Sequence, residues 1–166
     1  MEELLNSEQY KLIAPYLPYF AAAGILRLIV VAFMSYSVKQ TLLLMKKENR
    51  CILPNQVWFM LVPFLNIYWN FVVVRRLTDS LNNEFFDRKV AVEENPSQSK
   101  GYWFAGSFLV FNFPLPLFVG FVAWIVSFIC LILYWVKINE FKNLLVMPFN
   151  RQSEDTHEEL WNREDQ

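Results

Sequence analysis

The sequence predicts an all-α protein, an integral membrane four-helix bundle with amphipathic helical extensions. Three observations carry that expectation. The first is composition: 55% of the 166 residues are hydrophobic and 17% aromatic, against 19% charged, an aromatic-rich and charge-poor balance for a soluble chain of this length. The second is distribution. No Asp, Glu, Lys, Arg or His occurs in 52–74 or in 101–136, and charges gather between those windows, as a hydrocarbon slab requires. The third is that the polar residues inside the apolar windows recur at helical spacing.

The first span is expected at about 17–38, within an apolar run over 12–38 interrupted only by Arg27. The leading "MEELLNSEQYK" is acidic, and no small-residue cleavage site follows a compact apolar core, so the run reads as an uncleaved membrane helix and not a signal peptide. With no helix breaker before Pro54, it is expected to continue past the membrane through Lys39, Lys46 and Lys47.

A bilayer core of about 30 Å needs about 20 helical residues, so the window 52–74 is expected to be one crossing. The window 101–136 is too long for one helix and holds Pro114 and Pro116 in "NFPLPLF", where proline removes backbone donors and clashes with the preceding turn. It predicts a helical hairpin with spans at about 100–113 and 117–136. Between the second and third spans, Leu77, Leu81 and Phe85 fall at i, i+4 and i+8, the pattern of an amphipathic helix over 75–88, followed by a polar linker over 90–99. The membrane bundle thus occupies 1–149. An acidic tail, 150–166, follows, with a short helix capped by Ser153.

Orientation rests on Lys and Arg in short loops. Arg75, Arg76, Arg88, Lys89 and Lys100 lie between spans two and three, and Lys137 and Lys142 follow span four, against Lys46, Lys47 and Arg50 on the opposite side. This favours a multi-pass protein of the inner (cytoplasmic) membrane with both termini in the cytoplasm.

At 100° per residue, Gln56, Pro63, Asn66 and Asn70 share one face of the second span. Ala23, Gly24, Arg27, Val31 and Ser35 share one face of the first. Gly120, Ala123, Ser127, Cys130 and Tyr134 share one face of the fourth, a small-residue stripe that lets membrane helices approach closely. Lipid cannot satisfy polar side chains, so Arg27, Gln56, Asn66 and Asn70 are expected to form a polar interior, with Pro63, Gly120, Ala123 and Ser127 as packing positions. Two readings of that interior stay open. One is interhelical hydrogen bonding that fixes the bundle. The other is a ligand site or pathway in which Arg27, costing about 2.5–3.5 kcal/mol at a helix centre, is the partner of an anion. Arg27 near an interface, snorkelling to water, is a third possibility.

The stretch "PNQVWFMLVPFLNIYWNFVVVRRLTDSLNNEF" and the hairpin ending "LYWVKINEFKNLL" resemble a family of small four-helix membrane proteins of bacteria, common in Bacteroidota. The resemblance rests on Trp58, Pro63, Asn66, Ser80, Leu81, Tyr134, Trp135, Lys137 and Ile138. It implies the bundle and carries no activity. The acidic tail and Arg27 depart from it. A weaker resemblance joins Arg151 and His157, the single histidine, to the Arg–His signature of HEPN ribonucleases and to membrane accessory proteins of RNA-guided (CRISPR) defence systems. Arginine would stabilise phosphate charge and histidine move a proton. A solvated tail histidine explains the same residues, and Glu154, Asp155, Glu158 and Glu159 would repel RNA.

Cys51 and Cys130 have no partners at metal-ligand spacing, and no phosphate-binding glycine loop occurs, so no metal or cofactor is implied. Asp and Glu are missing from every expected span, which argues against a proton-coupled transporter or cation pump. The sequence reading is a non-enzymatic protein whose partners are the lipid bilayer and either further copies of itself or another membrane protein, without DNA. It would form a pore or perturb the membrane in a stress or defence response. The alternatives are a membrane-anchored ribonuclease accessory using Arg151 and His157, and a small anion carrier or sensor using Arg27.

Overall fold

A computed structural model describes residues 14–147. Arg151, His157 and the expected tail helix lie outside the described residues. The described chain is all-helical: a 3₁₀ turn Ala14–Tyr16 leads into α1, Leu17–Leu43, and after two 3₁₀ segments, Lys47–Asn49 and Pro54–Leu61, come α2, Leu65–Asp87, α3, Gln98–Phe111, and α4, Leu117–Val146.

Prolines set most of the breaks. The residue before a proline is pushed out of the helical region into extended backbone, and that is where Leu53 (ψ 136°) and Val62 (ψ 118°) stand, bracketing the 3₁₀ segment. Met147, before Pro148, ends α4 the same way (ψ 131°). Pro18, in the first turn of α1, occupies a position whose N–H would lack a partner anyway.

The crossing expected over 52–74 is therefore not one helix. Pro54–Leu61 runs one way, the chain reverses at 62–64, and α2 runs back, merging the second half of that window with the amphipathic stretch 75–88. Paired contacts fix the reversal: the Trp69 indole N–H donates to the Gln56 carbonyl at 2.8 Å, and the Ser80 hydroxyl accepts from the Cys51 N–H at 2.8 Å. At the apex the Leu65 N–H bonds the Pro63 carbonyl across Phe64, which has φ 64° and ψ −46°. This is the strained form of γ-turn, on a residue 89% exposed.

The elements close into a ring. α1 packs on the 3₁₀ segment, that segment on α2, α2 on α3, α3 on α4, and α4 on α1, while α1 and α2 scarcely touch. Directions alternate round the ring except at its closure. Arg27 meets Ser127, and Ser37 accepts from the Trp135 indole N–H at 2.8 Å, so α1 and α4 are parallel. Five legs cannot alternate throughout, and one neighbouring pair must run the same way. Leu17 and Val146 therefore lie at opposite ends of the described bundle.

The core runs through Met34, Val38 and Leu42 of α1, Val57 and Met60, Val74, Leu77 and Leu81 of α2, Phe104 of α3, and Leu131, Tyr134 and Ile138 of α4. At its centre α3 crosses so close that a Cβ on Gly101 would lie 2.5 Å from Val74 and 2.9 Å from Tyr134.

α1, α2 and α4 all end at the same pole of the ring, and three helix C-termini leave unpaired carbonyls and negative partial charge there. Two arginines take up much of this. Arg50 donates to the Met45 and Leu43 carbonyls, and Arg88 to those of Leu145 and Leu44. The fully buried Glu84 carboxylate accepts from the Lys46 N–H, the Asn49 amide and Arg88, at 2.8–2.9 Å. Burial pushes that carboxyl up, but those hydrogen bonds and the charge of Arg88 outweigh it and hold it below the usual carboxylate range.

Candidate functional site

Charge is confined to that pole. The layers where Ser37 meets Trp135 and Val74 meets Gly101 and Tyr134 are bordered by Lys39, Arg75, Arg76, Lys100 and Lys137. Every other ionised Lys, Arg, Asp or Glu among the described residues lies beyond that border, except Arg27. From Lys39 back to Leu17, and from Lys137 back to Leu117, the helices measure about 33 and 30 Å. Arg27 sits near the middle of that depth.

Its burial follows from the neighbours that close on it. Arg27 is 6% exposed. Its Nη2 donates to the Ser127 hydroxyl of α4 at 2.7 Å, and its guanidinium lies 5.0 and 4.8 Å from the ring centroids of Phe108 and Phe111 on α3. Cation–π contacts of this kind contribute about 0.5–2 kcal/mol. Nε and Nη1 have no hydrogen-bond partner. An isolated buried cation is costly, and no carboxylate among the described residues bonds to it.

On the side of Arg27 away from the charged pole, α1 and α4 leave a cleft of about 730 Å³, within the range of small-molecule sites, about 300–1,000 Å³. Phe20, Ala23 and Gly24 of α1, Phe111, the hairpin tip, and Phe118, Gly120, Phe121 and Trp124 of α4 form its walls. Arg27 follows one turn after Ala23 and Gly24 of the wall and is not itself a lining residue. Phe111 is at once a wall of the cleft and a ring against which the guanidinium rests.

The other residues expected in a polar interior do not join Arg27. Gln56 is half-buried, and its side chain accepts from the Leu53 N–H at 3.2 Å, capping the 3₁₀ segment. Asn70 is buried with its Oδ1 unpartnered, Asn66 is half-buried, and no hydrogen bond links either to Arg27. Of the expected packing positions, Pro63 is exposed beside the γ-turn, Gly120 borders the cleft, Ala123 is half-buried, and Ser127 is fully buried against Arg27. Sequence reasoning missed Phe108 and Phe111. Their spacing of three on one helix face was visible, but nothing in the sequence says which helix that face meets.

No protein-family model, curated protein or solved structure matches the chain.

Proposed function

We propose that the chain is a non-enzymatic integral membrane protein that binds an anion at Arg27, as a carrier or sensor. The observation that carries this reading is the buried guanidinium with two nitrogens unpartnered, separated from an apolar cleft by the ring of Phe111, which it contacts and which forms part of the cleft wall. A structural arginine this deep would be expected to find a carboxylate, and an intramembrane ionisable group without one marks a ligand position.

Membrane residence is supported by the two helices long and apolar enough to cross, Ala14–Leu43 and Phe118–Val146, most of whose residues face outward. A soluble core helix would be mostly buried. In this reading α1, α3 and α4 cross, 54–74 enters and returns on the charged side, and that side is cytoplasmic by its Lys and Arg. The small-residue stripe of α4 gives less support to self-association than its sequence did, because Ser127 and Gly120 face Arg27 and the cleft.

Two experiments test this. In a background lacking Cys51 and Cys130, cysteines at Lys47 and Glu94 should label from one side of the membrane and one at Phe113 from the other. Labelling of Lys47 and Phe113 from the same side ends the topology. For the site, Arg27→Leu should leave membrane abundance unchanged or raised and weaken saturable binding of carboxylates by the purified protein roughly tenfold or more, whereas Arg27→Lys should weaken it less, keeping charge without the planar fork. Carboxylate binding as tight after Arg27→Leu as before rules the site out.

A further inference from the structure

We infer that the ligand at Arg27 is a long-chain carboxylate, an amphiphile whose head pairs with the guanidinium and whose single chain fills the cleft between the N-terminal halves of α1 and α4. This rests on the anion-site reading above and names its substrate class.

The lining selects the body of the ligand. Apart from backbone, the cleft is walled by aromatic and aliphatic groups, with no charged side chain. A hydrated inorganic anion crossing such walls would lose its water without replacement, whereas a hydrocarbon chain loses nothing. The space runs up to the guanidinium's own turn: a Cβ on Gly24 would meet no atom within 4 Å.

The charge selects the head. Ser127 occupies one donor of Arg27 and leaves enough for a carboxylate to be held through two. One carboxylate neutralises one guanidinium. A phosphate monoester would carry surplus charge into a site where the described residues offer no second cation. The field of the fold acts in the same direction, since α1 and α4 are parallel and both present positive N-terminal ends, without side-chain caps, on the side where the cleft lies.

Trp124, in the cleft wall, reports on occupancy. The full-length protein is reconstituted in phosphatidylcholine vesicles and titrated with stearate brominated at mid-chain, a contact quencher of indole fluorescence, and with its methyl ester, which has the same chain and no charge. The inference expects saturable quenching by the acid beyond that by the ester, a component that Trp124→Phe removes. Arg27→Leu should raise the half-saturating concentration roughly tenfold or more, the loss of a charged hydrogen-bonded partner. Gly24→Leu fills the cleft, improves helix propensity and should abolish the component with Arg27 intact. Equal quenching by the ester overturns the inference, since the cleft then takes any chain. If Arg27→Leu abolishes acid binding while Gly24→Leu leaves it unchanged, the chain lies elsewhere; the inference fails and the anion site stands. Quenching indifferent to Arg27→Leu overturns both.

Discussion

The charged pole of the ring and the middle of its charge-poor body each bury an ionisable side chain, and they treat it in opposite ways. At the charged pole Glu84 is fully enclosed and accepts hydrogen bonds from the Lys46 backbone, Asn49 and Arg88, the last of which also ties the ends of α1 and α4 together. In the middle of the charge-poor body Arg27 is nearly as enclosed and has one hydroxyl as its hydrogen-bond partner. Burial alone therefore says little about role. A satisfied buried charge is a lock, because each partner it holds is an element of the fold. An unsatisfied one holds little together, and in the anion-site reading its cost is offset by the ligand.

The contrast predicts unequal responses to mutation. The largest effect is expected from Glu84→Ala, which leaves the Lys46 N–H without its acceptor and takes one partner each from Arg88 and Asn49. Breaking a buried pair costs about 3–5 kcal/mol, and partial solvation of Arg88 places this case near the lower figure. Denaturant unfolding in mild detergent measures it. The same lock should fail in acid. The Glu84 carboxyl in the fold lies below its unfolded value, about 4.3, so its contribution is complete above that value and is lost as pH falls through the lower folded one. A stability profile flat across that range, or reproduced by Glu84→Ala, removes the lock.

Gly101→Ala comes next. A methyl at 2.5 Å from Val74 forces α3 off α2 and α4, at about 1–3 kcal/mol, and trimming Val74 to alanine in the same chain should recover part of it. If α3 is held by other contacts, the double mutant will show no coupling. Phe64→Gly should be smaller and opposite in sign. Glycine adopts the positive φ of the γ-turn without steric cost, a relief of about 1 kcal/mol set against an exposed ring. The smallest stability change is expected for Arg27→Leu, within about 0.5 kcal/mol or stabilising, because the hydroxyl contact and the two ring contacts are exchanged for relief of desolvation. A loss there as large as that for Glu84→Ala would make Arg27 a lock as well and erase the contrast.

Much of the local structure was legible. The hairpin at Pro114 and Pro116 and the amphipathic spacing of Leu77, Leu81 and Phe85 follow from backbone restriction and periodicity, both properties of neighbouring residues. The faces were legible too: Arg27, Val31 and Ser35 turn inward together, as do Ser127 and Tyr134. The reversal at 62–64 was not, because an apolar window has the same composition whether it crosses or returns. Its signal was present in Leu53 and Val62, each before a proline and so unable to continue a helix. Pairing was the least legible. Periodicity tells which side of a helix is buried but not against what, so the parallel contact of α1 with α4, and with it the isolation of Arg27 from Asn66 and Asn70, depended on the number of legs in the ring.

The hairpin tip 113–116 carries no Asp, Glu, Lys, Arg or His, and neither does the chain for a dozen residues before it or twenty after. In the membrane reading this bears on biogenesis. α1 must deliver whatever charge precedes it to the far side, work that falls to translocation machinery. The α3–α4 pair has no such load and can enter as a wedge from the side where it is made, with Lys100 and Lys137 left behind as its stops. The ring would then close last along the α1–α4 seam, so the Arg27 site would come into being only when assembly is complete.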